Sequence, residues 1–195
     1  MDPLASTKLA LRDQVLAGRR RRGPADLVAA ARGLADVLTE APELRRAATV
    51  AAYVSVGSEP GTGPLLEALR GAGKRVVLPV LLPDNDLDWA VLDGPPAPAG
   101  RGLLEPTGPR LGVEHIATAD VVLVPALAVD RQGHRLGRGG GSYDRALARV
   151  PVGTFVCALL HDDPVGTEVV ESVPVGPWDR PVTAAATPHG ITRFR

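Results

Sequence analysis

Residues 119–145 read ADVVLVPALAVD-RQGHRLGRGGGSYDR, an apolar run that ends in a polar, glycine-dense stretch. Twelve residues so rich in Val, Leu and Ala, with no helical spacing of charge, predict a buried strand. A loop over 131–141 follows, and the spacing predicts a helix from about Ser142 to Arg149. This strand, loop and helix form the unit around which open α/β sheets place ligands. Outward from it, AATVAAYVSV at 47–56, KRVVLPVL at 74–81 and TFVCALL at 154–160 predict further buried strands. Between them, helices are expected over residues 6–22, from Pro24 to Glu40, and from a Thr62 cap to about Gly71. Strands alternating with helices predict an α/β fold: one domain over residues 1–195, a mostly parallel sheet flanked by helices. Residues 93–110 hold five of the 19 prolines and four glycines, so they read as a loop too long to be a simple connection.

Composition narrows the function. The chain has 195 residues and carries 22 Lys+Arg against 22 Asp+Glu, which disfavours a dedicated nucleic-acid binder. One R-G-G unit and few aromatics weigh against an RNA-binding module as well. No apolar run reaches about 18 residues, so no membrane span is expected. With no signal-like N-terminus either, a soluble cytoplasmic protein is expected. A single cysteine, Cys157, excludes a disulfide framework and sits in an apolar strand as a small buried hydrophobe. His115, His134, His161 and His189 show no metal-ligand spacing. Trp89 and Trp178 are scarce aromatics, each able to stack on a flat ligand or to pack in the core. The run Arg19–Arg22 ends a helix, where cations suit the dipole, and is assigned no function.

The loop itself points to phosphate. Gly137, Gly139, Gly140 and Gly141 let the backbone approach a ligand and present N–H groups to it. The start of the next helix adds its positive end. Arg135 and Arg138 add fixed positive charge, and the carboxylate of Asp144 suits a Mg²⁺ bridging phosphates. No Gly-Lys-Ser/Thr follows, and the glycine spacing is not the dinucleotide fingerprint. A solvated surface loop remains the bland alternative for the glycines taken by themselves.

The motif R-L-G-R-G-G-G-S-Y-D-R at 135–145, preceded by P-A-L-A-V-D-R-Q-G, resembles the R-L-G-x-G-x-G-Y-Y-D element of the 5-formyltetrahydrofolate cyclo-ligase family. Lys8-x-x-x-Arg12 is similar to its N-terminal K-x-x-L-R, Y-V-S-V-G-S-E at 53–59 to its folate-side loop, and Leu104-Glu105-Pro106 to its E-P. Val173-Pro174 leading to Asp179 resembles its C-terminal V-P-x-x-x-x-D.

The resemblance implies a fold related to sugar-phosphate isomerase and CoA-transferase domains. It implies conversion of 5-formyltetrahydrofolate, with or without a polyglutamate tail, and ATP into 5,10-methenyltetrahydrofolate, ADP and phosphate, with Mg²⁺. It places ATP on Lys8, Arg12, Arg135, Leu136, Gly137, Arg138, Gly139, Gly140, Gly141, Ser142 and Tyr143, with Lys8 and Arg138 catalytic. It places the folate on Val56, Glu59 and Glu105, and Mg²⁺ on Asp144 and Asp179. A monomer without nucleic-acid or membrane partners is expected. Ser142, Gly61 and Thr183 depart from the usual residues, Gly61 where an acidic group is common. The alternatives are an ATP-binding relative acting on another formylated molecule, and a nucleotide-binding protein without catalysis.

Overall fold

The computed structural model describes residues 3–162 and 168–194. Two helices, α1 (Pro3–Arg19) and α2 (Pro24–Glu40), are followed by the short α3 (Pro42–Arg46) and by strand β1 (Thr49–Ala51). Then come α4 (Gly63–Gly71), β2 (Arg75–Leu81), β3 (Leu87–Val91), β4 (Ala97–Pro98) and β5 (Leu104–Glu105). Next are β6 (Val121–Pro125), β7 (Ala128–Asp130), β8 (Arg135–Leu136), α5 (Ser142–Leu147) and β9 (Phe155–Leu159). The chain closes with β10 (Val169–Val170), β11 (Ala184–Thr187) and β12 (Gly190–Arg193).

The main sheet runs β12-β11-β9-β6-β1-β2-β3. Its five inner strands are parallel, and only the edge strands β3 and β12 pair antiparallel. This is the α/β architecture expected. Alternate residues of each inner strand point to opposite faces. Val50, Val76, Leu78, Val121, Leu123 and Leu159 therefore pack with Leu34 and Leu38 of α2, Leu44 of α3, and Leu65 and Leu69 of α4. Ala51, Val77, Val122, Val124 and Ala158 face the other way, towards Trp89, Ile116, and Ala146 and Leu147 of α5. Helix α1 stands apart: its Val15 joins a small third cluster with Leu127, Ala128, Leu136 and Val173.

Several expected elements differ. Helix α1 spans residues 3–19 instead of 6–22, and α5 stops at Leu147 rather than Arg149. The strand expected at 47–56 is only Thr49–Ala51, because the chain leaves the sheet after Ala52. The run 119–130 breaks at Pro125, which has no N–H to continue a ladder. Its second half, β7, joins a separate sheet of order β10-β7-β8. Thr62 does not cap α4 with its side chain. It is buried instead, its Oγ1 donating to Tyr53 O and accepting from Ser55 N. Helix α3, edge strand β3, β8 inside the expected loop, and the β11–β12 hairpin were not anticipated. Trp89 belongs to the core at 1% exposure.

The β7–β8 hairpin carries the glycine loop, and Asp130 organises it. Its carboxylate accepts N–H groups from Gln132, His134 and Val173 at 2.9–3.0 Å. Burial alone would raise this carboxyl's pKa, but those hydrogen bonds and the His134 ring outweigh it and hold the pKa low. Asp86, gripped by Arg149, and Asp120, on the N–H groups of Thr49 and Ala48, are shifted the same way. A carboxylate with a depressed folded-state pKa stabilises fully above its unfolded value and less as pH falls through its folded one. Thermal melts are therefore expected to hold from neutral pH to about pH 5 and fall below about pH 4. Asp130→Asn should melt lower at neutral pH and show a shallower acid decline. An unchanged decline would remove Asp130 from this role.

Candidate functional site

A cleft of about 990 Å³ opens at the carboxyl ends of the parallel strands. Tyr53 and Val54 follow β1 into its wall, Pro79 and Leu81 end β2, and Pro125 and Ala126 end β6. The glycine loop, α1 and the turn around Asp179 complete it. All of the residues expected to bind ligand line this cleft: Lys8, Arg12, Val56, Glu59, Glu105, Arg135 to Asp144, and Asp179.

Helix α1 reaches the loop directly. Arg12 Nε donates to the Gly137 carbonyl at 2.8 Å, and Lys8 Nζ pairs with the Asp179 carboxylate. Lys8 is thus partly buried with an anionic partner, not a cation on a solvated helical face. Gly139 adopts φ +102°, and a Cβ there would lie 3.4 Å from the Arg12 guanidinium. The positive φ is what favours glycine here, and a side chain added at this position would sit in contact with Arg12.

Arg135 is almost wholly buried, bonded to Asp144 Oδ1 at 2.7 Å and lying over the Tyr143 ring at 5.8 Å. Burial lowers its pKa, while Asp144, Tyr143 and Asp179 oppose that shift. Its Nε has no hydrogen-bond partner among the described residues. Burial likewise pushes the Tyr143 and Tyr53 hydroxyls well up, so both stay protonated. Tyr53 Oη is also without a partner among the described residues. Such buried, unpaired donors on a cleft wall are suited to a polar ligand.

Asp144 Oδ1 also accepts the Arg180 N–H, and Asp179 Oδ2 the Gly176 N–H. Burial would raise the Asp179 pKa, yet the Gly176 N–H and Lys8 bring it below the usual range. In the loop after β1, Glu59 Oε2 accepts Val56 N at 2.9 Å, and Glu59 Oε1 meets Arg138 Nε at 3.2 Å. Burial raises the Glu59 pKa against the pull of the Val56 N–H and Arg138. Glu105 Oε1 accepts Leu81 N, fixing the strap after the long loop to β2.

Some features carried no sequence signal. Tyr53 sat within an apolar run and read as strand core. Arg180 lines the cleft and gives its backbone N–H to Asp144. Arg19, read only as part of a charge run that ends a helix, is 2% exposed and bonded to Glu168. The position of Gly61, where an acidic group is common, packs against α2: a Cβ would fall 2.8 Å from Ala31 Cβ. Among the described residues no group of three or more His, Cys, Asp or Glu is arranged to hold a metal. No helix among the described residues is long and apolar enough to cross a membrane.

Residues 5–188 match the sequence model described as the 5-formyltetrahydrofolate cyclo-ligase family. The chain is 46% identical over 154 residues to a 5-formyltetrahydrofolate cyclo-ligase of Mycolicibacterium smegmatis, covering 75% of this chain and 77% of that one. It is 37% identical over 160 residues to the Escherichia coli enzyme of that name, covering 77% and 83%. Among solved structures it is similar to Aquifex aeolicus 5,10-methenyltetrahydrofolate synthetase, with a TM-score of 0.81, 27% identity, and 96% and 93% of the two chains covered.

Proposed function

This chain belongs to the 5-formyltetrahydrofolate cyclo-ligase family, a ligase of folate one-carbon metabolism, and from that premise we propose which of its residues perform the reaction. The reaction joins 5-formyltetrahydrofolate to ATP chemistry: 5,10-methenyltetrahydrofolate, ADP and phosphate are the products. The observation that carries the assignment is the junction of α1 with the glycine loop, where Arg12 holds Gly137 and Lys8 stands on Asp179. Lys8, Arg12, Arg135 and Arg138, the glycine loop and the carboxylates of Asp144 and Asp179 all line the cleft there. That donor set suits a nucleoside triphosphate better than any acid–base pair.

The formyl oxygen attacks the γ-phosphorus, and the bond to the β–γ bridging oxygen breaks, releasing ADP. N10 then attacks the formyl carbon, the carbon–oxygen bond breaks with loss of phosphate, and the N10 proton leaves. Lys8 and Arg138 neutralise charge on the transferring phosphoryl group. Arg12, Arg135 and the loop from Leu136 to Tyr143 hold the polyphosphate. Val56, Glu59 and Glu105 orient the folate, with the Glu59–Arg138 pair linking its loop to the phosphate loop.

Mg²⁺ fits Asp144 and Asp179. Each carboxylate commits one oxygen to protein donors, Oδ1 of Asp144 and Oδ2 of Asp179, leaving the other free among the described residues. One or two carboxylates plus phosphate oxygens form the usual protein share of a Mg²⁺ site. When bound, the ion supplies positive charge to the polyphosphate.

Asp144→Asn is therefore expected to raise the Mg²⁺ concentration for half-maximal rate and to lower kcat/KM for ATP about tenfold, roughly 1.4 kcal/mol. Product formation by absorbance across a Mg²⁺ titration measures both. Wild-type values in that variant would remove Asp144 from the metal site.

A further inference from the structure

His161 follows β9 and is 1% exposed, yet the chemistry above gives it no task. Its Nε2 lies 3.1 Å from the Ser58 carbonyl oxygen. A carbonyl only accepts, so Nε2 is the protonated nitrogen. Nδ1 is buried and has no hydrogen-bond partner among the described residues. An imidazole held this way leaves a polar atom unsatisfied, a cost that an apolar side chain of similar size would avoid.

Ser58 lies in the turn that brings Val56 and Glu59 to the cleft. The turn closes on itself: Glu59 N donates to Val56 O at 3.2 Å, Val56 N donates to Glu59 Oε2, and Gly57 adopts φ +59°. The Ser58 carbonyl takes its hydrogen bond from outside, from His161. His161 is itself anchored. Its N–H donates to Glu168 Oε2 at 2.8 Å, and Glu168 grips Arg19 of α1 through both oxygens, at 3.0 and 2.8 Å. Arg19 Nη2 also reaches the Ala126 carbonyl, at the end of β6, at 2.8 Å. Glu168 and Arg19 are 1% and 2% exposed, so this base is dry and fixed.

We propose that His161 is a positioning residue for the folate side of the cleft, holding the Val56–Glu59 turn where Glu59 meets both Arg138 and the substrate. This rests on the assignment of Val56 and Glu59 to the folate. Because the ring bonds the turn directly and reaches the phosphate loop only through Glu59 and Arg138, its loss should affect the folate far more than ATP.

The test compares His161→Leu, which fills the space without a donor, with His161→Gln, whose amide keeps an N–H near the position of Nε2. In His161→Leu the amides of Val56 and Glu59 should exchange with deuterium about tenfold faster, with the sheet amides unchanged. KM for 5-formyltetrahydrofolate should rise about five- to tenfold, the loss of one hydrogen bond, while KM for ATP stays within about twofold. His161→Gln should recover most of both effects. Wild-type exchange and KM in His161→Leu would overturn the proposal. So would equal rises in both KM values with faster exchange throughout the sheet, which a merely structural role would give. If the turn loosens as expected but the unmodified chain itself forms no methenyl product, the assignment of the folate fails, and the folate role of His161 falls with it.

Discussion

Lys8→Ala is expected to lower kcat/KM for ATP by about 30- to 150-fold, equivalent to about 2–3 kcal/mol of lost charge-assisted hydrogen bonding. In this arginine-rich chain only Lys8 and Lys74 are lysines. Lys74 Nζ bonds the backbone carbonyls of Arg45 and Ala47, away from the cleft, whereas Lys8 Nζ lies within it on Asp179. A compact ammonium can move from Asp179 to a phosphate oxygen as Asp179 turns to a cation. A planar guanidinium, with its fixed fork, makes that exchange poorly. Lys8→Arg should therefore also lose kcat/KM, by less than Lys8→Ala. The pair is only partly buried, so the melting temperature should fall by no more than about 1 kcal/mol of stability corresponds to. Steady-state kinetics of both variants measure this. Wild-type values in both would strike α1 from the site.

Gly139→Val should weaken ATP binding about 100-fold. A β-branched residue at φ +102° is strained, at a cost on the order of 1–3 kcal/mol, and its methyl groups would press on the Arg12 guanidinium. Relief comes from moving the loop or Arg12, and either change disturbs the Arg12–Gly137 hydrogen bond. Because Gly139 is exposed and the core clusters lie below the hairpin, folding should suffer far less than binding. Calorimetric titration with an ATP analogue, beside thermal melts, separates the two. A variant that melts many degrees lower but binds the nucleotide normally would make the glycine structural.

The parallel core was legible because buried inner strands are nearly continuous apolar runs, as at Val121–Val124 and Val76–Leu78. Helix α2 was legible because Gly23-Pro24 marks its start. The short pieces were not. The two residues of β8 make a strand only because Asp130 folds the chain back onto β7, and three-residue β1 looks longer because Tyr53 and Val54 are apolar although they belong to the cleft wall. The site motifs were visible along the chain, but their partners were not. Nothing in the spacing says that Lys8 finds Asp179, that Glu59 finds Arg138, or that Arg19 leaves a run of arginines to meet Glu168 in the interior. Those pairings are properties of the fold: two are made where α1 packs beside β7 and β8, and the third where the loop after β1 meets the glycine loop.

Transfer of the formyl oxygen to phosphate tests the central claim most directly. The purified chain is incubated with Mg-ATP and 5-formyltetrahydrofolate carrying an isotopic label on the formyl oxygen, and the released phosphate is analysed by mass spectrometry. Phosphorylation of the formyl oxygen in this cleft requires that methenyl product and labelled phosphate form in equal amounts. Unlabelled phosphate, or phosphate released without methenyl product, would contradict it.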